Sequence, residues 1–70
     1  MASTYNKLSV ARVQSIIDSH GHYREPEDRQ TTLRDILTDL RHYADEHELD
    51  FYKAADGSHV VYLEEKNEEA

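Results

Sequence analysis

The chain has no cysteine and no tryptophan, one proline, two glycines and one phenylalanine in 70 residues. Without cysteine there are no disulfides and no thiolate metal sites, which fits a reducing compartment. No apolar run approaches the length that spans a bilayer. The opening MASTYNKLSV lacks the apolar segment of a signal peptide, so a cytoplasmic protein is expected. With so little glycine and proline, and no internal repeat, there is little room for linkers. We expect one helical domain over residues 1–66 and a frayed acidic tail over 67–70. A chain this short is close to the size at which a single hydrophobic core barely suffices.

Catalytic motifs are missing too. There is no thiolate nucleophile, no GxSxG elbow, no phosphate-binding glycine loop and no HExxH. A three-helix domain of this size rarely encloses a substrate pocket. Neither an enzyme nor a bound cofactor is expected.

Positive charge is scarce, and it is unevenly placed. Residues 1–34 hold five basic and four acidic side chains, for a net +1, whereas residues 35–70 hold three basic and eleven acidic, for −8. Phosphate backbones repel such a surface, which argues against direct nucleic-acid binding. A basic protein surface would instead be drawn to it.

What remains is helical periodicity. Leu33, Ile36, Leu37, Leu40, Ala44 and His47 fall at i, i+3, i+4, i+7, i+11 and i+14, one stripe. The helix that carries it starts either near Pro26, with acids in its first turn, or at the weak capping box beginning at Thr32, and runs to about 47. Val10, Val13 and Ile17 share a face of an earlier helix over about 5–19, with Gly21 as its stop.

Residues 51–65 pose a choice. Asp56-Gly57 is a common hairpin dipeptide. Yet Phe51, Ala54, Ala55, Ser58, Val61 and Tyr62 recur at helical spacing, while neither face of a strand over 59–64 is cleanly apolar. Asp50 also suits the N-cap of a helix beginning at Phe51. The periodicity favours a helix, in which Gly57 is a weak point of roughly 1 kcal/mol relative to alanine. The expected fold is all-α, a small three-helix bundle; the alternative is α+β with a C-terminal hairpin turning at Asp56-Gly57. Tyr62 is expected in the core. Val60 and Leu63 fall off the stripe and need cover from helix 1 or a second copy, so a homodimer is one expectation.

The stretch LRDILTDLRHYADEHELDF, followed by a helix ending in VVYLEE, resembles a family of small acidic proteins of bacteria and their phages. The pattern is an LxDLxxDLxHY-type helix, a short turn, then Asp-Phe and a second helix ending in an aromatic and acids. The likeness covers about residues 31–65. It departs at Ala55-Asp56-Gly57-Ser58, where larger apolar and basic residues are commoner in that family. It implies helices and an intracellular setting, and brings no activity, cofactor or catalytic residue.

Opposite the apolar stripe, Asp35, Asp39, His42 and Glu46 form a second line at i, i+4, i+7 and i+11. Such a strip is ordinarily a solvated helix face whose acids raise the proton affinity of the histidine. It is also suited to gripping a cationic partner, or to holding a divalent metal. His20 and His22 flank Gly21 without a third ligand at diagnostic spacing, and the histidine zinc patterns are absent, so no metal site is assigned. His47 suits a hydrogen-bonded position at the core edge, and His59 an exposed one. Tyr43 lies at the edge of its stripe and Tyr52 follows Phe51 off the next one, positions that suit core-rim packing first and an interface anchor second. The expectation is a non-enzymatic protein–protein interaction module, with Asp35, Asp39, His42, Tyr43, Glu46 and Tyr52 as its partner-binding surface. The partner is an unidentified protein with a basic patch. Two alternatives stand: an inhibitor that mimics nucleic-acid charge, and a histidine-dependent metal binder.

Overall fold

The computed structural model describes residues 4–68, and its regular structure there is entirely helical. Four helices follow in order: α1 (Thr4–Ser19), α2 (Gly21–Arg24), α3 (Arg29–Glu46) and α4 (Phe51–Glu68). The hairpin alternative is not supported. Asp56-Gly57 lies inside α4, Gly57 has no positive φ, and no strand occurs among the described residues. Helix α4 also continues through Asn67 and Glu68, which the sequence pattern assigned to the tail. The remaining tail residues, Glu69 and Ala70, lie outside the described range.

The ends of the helices explain where sequence and structure part. Helix α1 stops at Ser19, but Gly21 is not its left-handed cap, because its φ is not positive; it opens the single turn of α2 instead. Helix α3 begins at neither expected start. Asp28 is its N-cap, in extended backbone, and accepts the Thr31 N–H at 2.7 Å and the Thr31 hydroxyl at 3.0 Å. Capping by Asp28 satisfies one of the donors that a helix start leaves unpaired. Pro26 sits in the bend before it. The Thr32 hydroxyl, expected to cap, donates instead to the Tyr23 carbonyl at 3.0 Å and ties α2 to α3.

At the other end, α3 closes with a Schellman motif. The Leu49 N–H donates to the Ala44 carbonyl at 2.8 Å and the Glu48 N–H to that of Asp45 at 3.3 Å. Glu48 adopts φ 55°, the left-handed conformation usually given to glycine. Asp50 then caps α4, accepting the Lys53 N–H at 2.9 Å. A helix stop and a helix start are thus completed within four residues, which turns the chain sharply from α3 to α4.

The helices pack in sequence, α1 on α2, α2 on α3 and α3 on α4, with α3 at the centre. The expected stripe along α3 does not close into a core. Ala44 is 5% exposed and is the one buried apolar side chain among the described residues, whereas Leu33, Leu37 and Leu40 remain 50, 46 and 50% exposed. Tyr62, expected in the core, is exposed, as are Val60 and Leu63. The fold is thus the expected all-α three-helix bundle with the single turn α2 added, but an open one, splayed into a layer with principal extents of 35 × 30 × 17 Å and a radius of gyration of 13.8 Å. A compact chain of this length has a radius of about 11 Å.

Candidate functional site

Helix α3 presents three different surfaces. On its acidic side, Asp35 pairs with its neighbour Arg34 at 3.1 Å, and its side chain is 18% exposed. Asp39 accepts the Tyr23 hydroxyl at 2.7 Å. That hydrogen bond, then partial burial, then the charges of Asp39 and Asp35 raise the Tyr23 hydroxyl above the usual tyrosine range. Losing the proton there would set a phenolate beside two carboxylates. The upper half of the expected strip is therefore a docking point for α2 within the chain. His42 and Glu46, further along, are exposed.

Tyr43 is 59% exposed, and its ring lies 4.5 Å from that of His47. His47 occupies the C-cap of α3 and is exposed; its ring meets an aromatic face at the rim of the molecule. Asp39, His42, Tyr43 and Glu46 stand at i, i+3, i+4 and i+7 and share one edge of the helix.

Tyr52 belongs elsewhere. It is 62% exposed, Arg41 sits over its ring at 4.8 Å from the centroid, and the Arg41 guanidinium donates to its hydroxyl. Arg41 also reaches the Phe51 ring, at 5.6 Å. Arg41 and Tyr43 are two residues apart, so they point about 200° apart round α3. The two tyrosines thus stand on opposite edges of the helix, and the six expected site residues do not form one patch.

The third surface is apolar. A cleft of about 420 Å³ runs between α1 and α3, lined by Val10, Val13, Ile17, Leu33 and Ile36 among others. A second, of about 540 Å³, runs between α3 and α4 beside Leu33, Leu37, Arg41, Phe51 and Ala55. Leu33 belongs to both, so the two join across α3. Sequence reasoning marked these side chains as core. Their spacing shows which face is apolar, but not whether the chain itself covers it.

Among the described residues no group of three or more His, Cys, Asp or Glu side chains could hold a metal ion. His20 and His22 instead flank the Tyr23 ring, each with its centroid 5.7 Å away. No helix among the described residues is long and apolar enough to cross a membrane. No family model, curated protein or solved structure matches the chain.

Proposed function

We propose that the protein is a non-enzymatic protein–protein interaction module that holds a basic partner along the acidic edge of α3. The observation that carries this reading is Tyr43: an exposed aromatic ring braced by His47, with His42 and Glu46 within one turn along the same edge. A braced tyrosine offers contact area at low entropic cost. Acids round it would steer a basic surface and fix its register. Tyr52, Asp35 and Asp39 leave the proposed contact surface: Tyr52 faces the other edge, Arg34 pairs with Asp35, and the Tyr23 hydroxyl occupies Asp39.

The test is capture of partners from a lysate of the source organism by the wild-type chain, Tyr43→Ala and Glu46→Lys, at low and high salt. A partner held by the wild type and lost by both variants supports the edge. A partner kept equally by both variants contradicts it. A nucleic-acid-binding enzyme released by modest salt would shift the reading to charge mimicry.

A further inference from the structure

The apolar face of α3 is separate from the acidic edge. We infer that this face, floored by Leu33, Leu37 and Leu40 between α1 and α4, is the interface of a homodimer, covered by the same face of a second copy.

Area is the first support. The chain exposes 6206 Å², whereas a compact monomer of 8.2 kDa exposes about 4,500 Å². The excess is about 1,700 Å² per chain. Obligate homodimers bury roughly 1,000–2,500 Å² per subunit, so one copy of this chain supplies the cover needed.

Shape is the second. The layer is 17 Å thick against 35 and 30 Å in its other dimensions. Stacking two such layers roughly doubles the short axis and yields the near-isometric form of a compact domain.

Charge is the third. The chain carries fifteen acidic residues, yet neither cleft is lined by an aspartate or a glutamate. Copies of net −7 meet at the lowest electrostatic cost where acids are absent, as they are from the lining of both clefts. Of the three arginines lining the clefts, Arg34 is paired with Asp35 and Arg41 is engaged by Phe51 and Tyr52. An isologous two-fold contact sets each Leu40 near the opposing α3, while the acidic edge of each copy faces outward.

Single-cysteine cross-linking tests this directly, because the native chain has no thiol. Leu40→Cys places a thiol on the face; His42→Cys places one about 160° away round α3. With a short bis-maleimide, Leu40→Cys is expected to convert nearly completely to a cross-linked pair, and His42→Cys only by slow collision. Because Leu40→Cys also shortens an apolar side chain, the wild-type chain gives a second readout. Its urea midpoint should rise with protein concentration, as unfolding coupled to dissociation requires. Equal cross-linking of the two variants, or a midpoint independent of concentration, would overturn the inference and leave the face to a helix of another protein.

Discussion

Glu48 and Tyr23 show what single residues contribute, and neither role is visible in composition. Glu48 holds a left-handed φ of 55° at the end of α3, a conformation that strains a residue bearing a Cβ. Glycine removes that strain but adds freedom to the unfolded chain, so Glu48→Gly should stabilise by up to about 1 kcal/mol in urea denaturation. A destabilised Glu48→Gly would mean that the side chain itself is needed at the turn. Tyr23 makes the longest-range polar contact described, to Asp39 sixteen residues away. Its folded pKa is raised, so the stability it lends is fully present below about pH 10 and is lost as pH rises through the folded value. Tyr23→Phe should lack this alkaline limb in pH-dependent unfolding. Asp28 acts in the opposite direction. Its hydrogen bonds from Thr31 hold its carboxyl below the usual range, so its contribution is present above the ordinary carboxylate pKa and fades as pH falls through the lowered one. Asp28→Ser keeps a capping oxygen without the charge and should flatten that acid limb. Leu40, half-exposed in one chain, should still lose roughly 2 kcal/mol or more as Leu40→Ala if a second copy covers it; a loss under about 1 kcal/mol would mean an uncovered face.

At the scale of elements, most of the secondary structure was legible. The 3.6-residue spacing of Phe51, Ala55, Ser58 and Tyr62 outweighed the Asp56-Gly57 turn signal, because a full amphipathic stripe is a longer pattern than one dipeptide. A Cβ built at Gly57 meets nothing within 4 Å, so Gly57→Ala should stabilise α4 by about 1 kcal/mol. Circular dichroism during denaturation would report it, and a loss of helicity would contradict the continuous helix. The start of α3 was less legible, because Pro26, Asp28 and Thr32 all carry helix-start chemistry, and the outcome shows only in where the hydrogen bonds go: Thr31 to Asp28, and Thr32 to the Tyr23 carbonyl. The acidic strip was legible as a line of side chains. Its division was not, because the division depends on where α2 and α4 come to lie: Tyr23 against Asp39, and Tyr52 against Arg41. Those contacts join residues too far apart in the chain for any local period to reveal.

At the scale of the whole molecule, periodicity tells which faces are apolar but not what covers them. A splayed layer, a closed three-helix bundle and a dimer all satisfy the same stripes on α1, α3 and α4. The open layer leaves fourteen large apolar or aromatic side chains exposed among the described residues, more than isolated surface residues would explain. Pairing two layers would hide the leucines of α3 while leaving His42, Tyr43 and Glu46 of each copy on the outside. A dimer would thus present the proposed partner edge twice, and a bivalent partner would gain avidity from it. Small-angle X-ray scattering of the full chain separates the three forms, because forward scattering gives the mass and the low-angle slope gives the radius. A dimer of two such layers stacked one 17 Å thickness apart gives twice 8.2 kDa with a radius of gyration above the 13.8 Å of one layer, about 16 Å, and that is the expected result. A mass of 8.2 kDa across the accessible concentrations, whether at 13.8 Å for an open layer or near 11 Å for a closed bundle, would contradict it.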